Sequence, residues 1–415
     1  MKTRKFFWLI AISVFTLFAR VSVAQEANNI NPALTYWMAF SIMPNLSEDD
    51  HKYLFDNDWR SKPMDARAGK IAAQYDQTFK LLKKASLSTT APDWGVDLHE
   101  GPYALYPHLA KGKNLAQVAA LRGAWFVQNK QPAAAAEDLK AVIHLGGSLT
   151  DRNSILAGLV RFAMDNIVLT FLAERWYELP TETIQDVLST IDKHPVNGLM
   201  ASSIPVEKIL CEDWFLRKIQ EIQTEFPGND QKALESLSVV LREILTNENG
   251  KKEDSEVDII KAAGSTTAGL ISYTQELSPF YAETERVMNL PYPEFKGVAE
   301  ALDKQLSSHP NILVRNFLPS IAKARNKEFR AIANRSMLHA ALQYRLDNSN
   351  GLASVQDPFG NGPFVASRFA FEGADRGFKL KSALDIKDSE VSYLFVEKPG
   401  SAFQVQGPRI GQAVH

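Results

Sequence analysis

The stretch LAQVAALRGAWFVQNKQPAAAAEDLKAVIHLGG, Leu115 to Gly147, decides the fold class. From Lys113 to Asn129, the residues Leu115, Val118, Leu121 and Trp125 recur at steps of three or four, which lays an apolar stripe along one face of a helix. The second half places Pro132 in a first helical turn, follows it with alanines of high helix propensity, and predicts a stop at Gly146-Gly147. Two antiparallel helices joined by a short turn are expected.

Downstream the helical pattern continues. Asn153 to Tyr177 carries Ile155, Leu159, Phe162, Ile167, Phe171 and Trp176, apolar on more than one face, as a buried central helix requires. ELPTETIQDVL starts a further helix, and HPVNGLMASSIP breaks the pattern near residue 200. Helices are predicted at about 206–223, 230–247, 267–290 and 294–307, with the charged segment 247–258 as a loop. A last stripe, Phe329, Ile332, Ala333, Met337, Ala340 and Tyr344, predicts a docked helix, with Arg330, Arg335 and Arg345 off the buried face.

After residue 356 the period changes from 3.6 to 2. Val365, Phe369 and Phe371 share one face of a predicted strand; Phe378, Leu380 and Leu384 share a face of the next, with Lys379 and Lys381 opposite. EGADRG supplies the turn between them, and VSYLFVE and AFQVQ are two further short candidates. DPFGNGPF, Asp357 to Phe364, is then the turn that leads into a small antiparallel β module packed on helices, since a lone hairpin is marginal in water. The fold class expected is mainly α, stacked helical hairpins with a small C-terminal antiparallel β module. The expected units are a leader at 1–24, helical regions at 25–200 and 201–350, and the β module and tail at 357–415.

The N-terminus reads as a secretory signal: Lys2, Arg4 and Lys5, the uncharged run Phe6 to Ala19, then Ser22-Val23-Ala24 as a cleavage site. The run is shorter than the ~18 to 20 residues that span a bilayer, and Arg20 follows it. After cleavage no further segment is expected to cross a membrane, and a periplasmic or extracellular location follows. The whole chain carries a net charge of −2, and loss of Lys2, Arg4, Lys5 and Arg20 takes the mature chain to about −6. That balance argues against nucleic acid as a partner. Cys211 is the single cysteine, so no internal disulfide can form.

Three resemblances add to this. Gly123, Phe126, Ala135 and Leu139 are spaced as in one tetratricopeptide-type hairpin, where small residues let paired helices approach. The mature chain resembles a family of uncharacterised exported bacterial helical proteins through ALTYWMAFSIMP, DWGVDLHEGPYALYPHL, LRGAWFVQNKQPAAAAEDL and the closing DPFGNGPF and GFKLKS. This resemblance implies export and no particular activity. Residues 318–348, within FLPSIAKARNKEFRAIANRSMLHAALQYRLDN, are similar to the stem of type II secretion pseudopilins, which also leads into a small sheet. The chain lacks the apolar stem and the processing site of those proteins, so assembly into a pseudopilus is not implied.

For chemistry, PDWGVDLHEGPYALYPHL groups Asp93, Asp97, His99, Glu100 and His108, the residue types of metal binding or acid/base work. His99-Glu100 lacks the second histidine of a zinc helix, and Pro102 would break that helix, so no metal is expected. The alternative is a structured loop with Trp94 and Tyr106 packed inward. Arg161 and Asp165, four apart on the apolar central helix, form either an internal ion pair, with a further partner such as Arg122, or the polar floor of a groove. His144 reads as a helix-end histidine and His194 as a loop residue. No nucleophile elbow, phosphate loop or dinucleotide fingerprint is present, so no cofactor is expected. The function expected is that of an exported non-enzymatic helical protein acting by protein interaction, or as a scaffold, with an unknown protein partner in the envelope. The alternative is a secreted hydrolase or small-ligand-binding protein using Asp97, Glu100 or Asp165.

Overall fold

A computed structural model describes residues 31–398 apart from 57, 151–153, 246–255, 372 and 387–388. The expected leader at 1–24, the strand candidate AFQVQ and most of the charged segment 247–258 lie outside the described residues.

The chain opens with α1 (Pro32–Ser41), α2 (Glu48–Phe55), α3 (Ala66–Gln74) and α4 (Asp76–Ala85). Side-chain caps start three of them: Asn31, Ser47 and Asp65 accept from Ala33, Asp50 and Ala68 backbone N–H groups at 3.0, 3.2 and 2.9 Å. The deciding stretch forms α5 (Pro107–Gln128) and α6 (Pro132–Ser148), packed against each other as an antiparallel hairpin. α7 (Ile155–Glu174) and α8 (Thr181–Asp192) follow, with α7 against both α5 and α6.

One expectation fails in this hairpin. Gly146-Gly147 does not end α6, which runs on to Ser148. A Cβ at Gly146 would lie 2.8 Å from Arg161 Nη1, and one at Gly147 would lie 2.4 Å from His194 Nδ1. The pair is small because two side chains lie against the helix there, not because the helix stops. Gly123 likewise faces Phe171 of α7, with 2.8 Å left for a Cβ.

The second half comprises α9 (Leu199–Lys208), one π-helical turn (Ile209–Asp213), α10 (Trp214–Glu225), α11 (Asp230–Leu245), α12 (Glu256–Ala262), α13 (Thr267–Gln275), α14 (Ser278–Met288), α15 (Tyr292–Ser307), α16 (Ile312–Phe317) and α17 (Ile321–Ala353). The helix expected at 267–290 is two helices, since Pro279 opens a new first turn in α14. α17 docks on α7, where both are covered on most sides. Among the described residues nearly all the buried apolar side chains form one cluster that runs from α1 through to the sheet.

The expectation that nothing after residue 24 has the length and hydropathy of a membrane span is corrected by α7, which has both, at a mean hydropathy of 1.7. A core helix covered on nearly every side needs the same composition as one facing lipid, and 61% of this span is buried inside the protein.

The sheet has three antiparallel strands in the order β1 (Val365–Phe371), β2 (Ala374–Ile386) and β3 (Ser389–Val396). Phe378, Leu380 and Leu384 point into the body while Lys379 and Lys381 face outward, as the period of 2 predicts. Phe378 packs on Tyr344 of α17 at 4.7 Å, and Phe395 of β3 on Trp176 at 5.1 Å. Tyr393 hydroxyl meets Thr170 Oγ1 of α7 at 2.7 Å. β1 departs from expectation: Val365 is 66% exposed, because, of the two edge strands, only β3 packs on the helices, and β1 lies beyond their reach.

DPFGNGPF is held to β2 by one carboxylate. Buried Asp357 accepts from Phe359 N–H at 3.0 Å, from Ser382 Oγ at 2.9 and 3.0 Å, and from Ala383 N–H at 2.5 Å, where β2 loses its regular pairing. Asp357→Ala strands these donors, and a loss of about 2 kcal/mol or more in unfolding free energy is expected. An unchanged urea midpoint and slope would show that the turn is held by Phe359 and Phe364 packing alone.

Candidate functional site

The six sequence candidates fall in three separate places. Asp97, His99 and Glu100 lie exposed on a short 3-10 turn, Leu98–Tyr103. Asp97 is its cap, accepting from His99 N–H at 2.8 Å. Gly101 has φ 61° and ψ −130°, a conformation that side chains disfavour, and a Cβ there would sit 2.2 Å from Trp214 Cγ. The turn is therefore pressed on α10, where Arg217 Nη2 also donates to the His99 carbonyl at 3.2 Å.

Beside it, Trp94 is buried and donates from Nε1 to the Ser148 carbonyl at 2.8 Å. His108 stacks on its ring at 4.6 Å and 7°, and burial pushes the imidazole down to about 4, leaving it neutral. A pocket lined by Asp93, Trp94, Tyr106 and His108 has room for roughly one water molecule. That is too small for the substrate of a hydrolase.

Arg122 belongs to a second cluster. Its Nε donates to Asp138 Oδ2 at 2.6 Å and its Nη1 to Asp76 Oδ1 at 2.8 Å and to the Ala72 carbonyl. Lys83 Nζ completes the charge balance at 2.7 Å from Asp138 Oδ1. The guanidinium also lies over the Phe79 and Phe126 rings at 4.6 and 5.1 Å. Four helices, α3 to α6, meet on this one cation. Asp138 was absent from the sequence candidates, yet it falls three after Ala135 and four before Val142, on the buried stripe of α6.

The third place is the centre. Arg161 Nε meets Asp165 Oδ1 at 3.1 Å, and Asp165 Oδ2 accepts from Arg335 of α17. The further partner of the pair is thus Arg335 and not Arg122, and Arg335 is buried although the stripe placed it outside. α17 is covered on the α7 side as well as on its stripe, so a residue off the stripe still meets protein. Two guanidinium groups against one carboxylate leave a positive excess, which backbone carbonyls absorb. Arg161 donates to Ile143 O at 2.6 Å and to His194 O at 3.4 Å; Arg335 donates to His194 O at 2.7 Å and Ile191 O at 3.4 Å. Ile191 lies in the last turn of α8, where the helix dipole favours cations. Burial lowers the Arg161 guanidinium from its ordinary value and Asp165 works against that shift.

Two other acids serve as caps, Glu328 buried and Glu207 half-buried. Glu328 accepts from Leu199 and Met200 N–H at 3.0 and 3.4 Å, holding the start of α9, with Arg325 beside it. Glu207 accepts from Ile155 N–H at 2.8 Å at the start of α7, and burial raises its carboxyl. Cys211, in the π-helical turn, has its thiol pushed up to about 12, chiefly by burial. Among the described residues no group of three or more His, Cys, Asp or Glu side chains is set to hold a metal ion.

Asp165→Ala leaves both guanidinium groups without a counter-charge, and a loss of about 3 to 5 kcal/mol is expected in chemical denaturation. Replacing Asp165, Arg161 and Arg335 together by Leu, Met and Met should recover much of that loss. For Cys211 the expected result is slow modification by maleimide at pH 8 in the folded protein and prompt modification in urea; equal rates would show an accessible thiolate.

Arg122, Arg161 and Asp165 are taken up by ion pairs and backbone carbonyls, Asp97, His99 and Glu100 stand on an exposed turn, and the six do not share one cleft. Comparison with protein-family models, with curated proteins and with solved structures gives no match to this chain.

Proposed function

We propose that the chain is an exported, non-enzymatic protein that acts by binding another protein in the cell envelope, with α1 as the contact face. One observation carries this reading. Leu34, Met38 and Ile42 recur every four residues and are 58%, 56% and 45% exposed, while Tyr36 and Phe40 of the same segment are buried. α1 contains no charged residue, so both its faces are apolar. Scattered surface leucines are ordinary, but three in line on an uncharged helix form a stripe of the kind a partner covers.

Two further features support the reading. The hairpin α5–α6, taken as tetratricopeptide-like, belongs to a class of stacked hairpins that present concave surfaces to other proteins. The leader reading, with cleavage after Ala24, puts α1 near the mature N-terminus, where it is reached early by partners outside the cytoplasm. A carboxylate hydrolase needs an acid and a base around one space, whereas Asp97 and Glu100 stand on an exposed turn and Asp165 is enclosed between arginines.

A photo-crosslinking residue at Met38, in cells of the native host, is expected to give a discrete protein adduct that disappears with Leu34→Asp. The same residue at the exposed Lys304 of α15 is the control. Identical patterns at both positions, or an adduct indifferent to Leu34→Asp, would overturn the reading. Met38→Asp should itself change stability by no more than about 0.5 kcal/mol.

A further inference from the structure

His144 and His194 meet beside the central ion cluster. Nδ1 of His144 lies 2.8 Å from Nε2 of His194, with the rings edge to face at 4.8 Å. A contact between two ring nitrogens needs one to carry hydrogen and the other a lone pair; if both rings are protonated, two N–H donors face each other and the bond is lost. Both rings are half-buried, so protons from solvent can reach them.

The surroundings are short of negative charge. From α6 the neighbours are His144 itself and Lys140, which is held by Glu137 and Asp186. α7 contributes Arg161 and Asp165, and α17 contributes Arg335 and, farther out, His339, paired with Asp192. The turn after α8 adds Lys193. Asp165, the buried carboxylate of this group, is already shared by two arginines. Burial, then Lys193, Arg161 and Lys140, depress the His144 imidazole; burial, then Arg161, His144 and Arg335, push His194 down to about 4.

His194 sits in the turn between α8 and α9, and its carbonyl accepts from both Arg161 and Arg335. Its ring also fills the space left by Gly147. We infer that the His144–His194 contact is an acid-sensitive latch: protonation of both rings releases the turn at residues 193–198 and loosens the junction of α6, α7, α8 and α17. The sign follows from proton counting. The closed state holds these imidazoles neutral, with values below the ordinary 6.5, so the opened state binds more protons. The latch has its full strength above about pH 6.5 and loses it as pH falls toward 4.

Hydrogen exchange of the turn amides, corrected for intrinsic rates, tests this in the full chain. Between pH 6.5 and 5 the opening constant read at the hydrogen-bonded amides of His194, Gly198 and Leu199 should rise about tenfold or more. The double variant His144→Gln with His194→Asn keeps polar side chains that do not titrate, and it should flatten that dependence. His108 adds its own acid loss elsewhere, so the difference between the two proteins at this turn is the readout. An identical acid dependence in the double variant overturns the latch. Should the variant not fold, imidazole titration by NMR in the natural chain decides: values below 6.5 for both rings support the latch, and either ring at or above 6.5 overturns it.

Discussion

Asp165 lies between two buried guanidinium groups, and the packing of the helical body is arranged around that constraint. An isolated charge at this depth is costly, so each member of the group needs an opposite charge or carbonyl partners. The carboxylate takes one arginine from its own helix and one from α17. Other guanidinium donors go to carbonyls of α6 and of the end of α8. Four elements are thereby fixed relative to one another by groups that cannot slide without losing partners. Apolar side chains alone would allow neighbouring packings of similar energy; directional bonds at the centre make one of them preferred.

The same logic recurs at smaller scale. Arg122 gathers four helices through Asp138, Asp76 and a carbonyl, Glu328 holds the start of α9, and Asp357 ties the turn before the sheet to β2. In each case one buried charge answers backbone or side-chain groups from distant elements. The chain spends its buried polar residues on joints between elements, which leaves few of them to converge on a shared space.

Helix periodicity made the α5–α6 hairpin, the central helix and α17 legible, the change to period 2 located β1 and β2, and VSYLFVE marked β3. These signals are local, since they depend on which neighbours three, four or two residues away are apolar. What stayed hidden depends on partners far along the chain. Arg161 and Asp165 announced a pair by their spacing, but Arg335, 170 positions away, had no local mark. Gly146-Gly147 looked like a stop because the side chains of Arg161 and His194 that fill their place come from other elements. Val365 followed strand alternation, but exposure depends on which edge of the sheet meets the helices. Asp138 was within reach of the sequence through its place on the α6 stripe.

The distance between the halves of the central joint bears on the order in which the protein acquires its shape. α7 meets Arg335 170 positions later and Tyr393 of β3 223 positions after Thr170. Until those residues are present, a helix apolar on nearly all sides has no cover on the faces they occupy. A chain emerging N-terminus first therefore reaches β3 before its middle can close. Contacts of such range are slow to form, and apolar surface left uncovered over that interval is prone to associate with other chains.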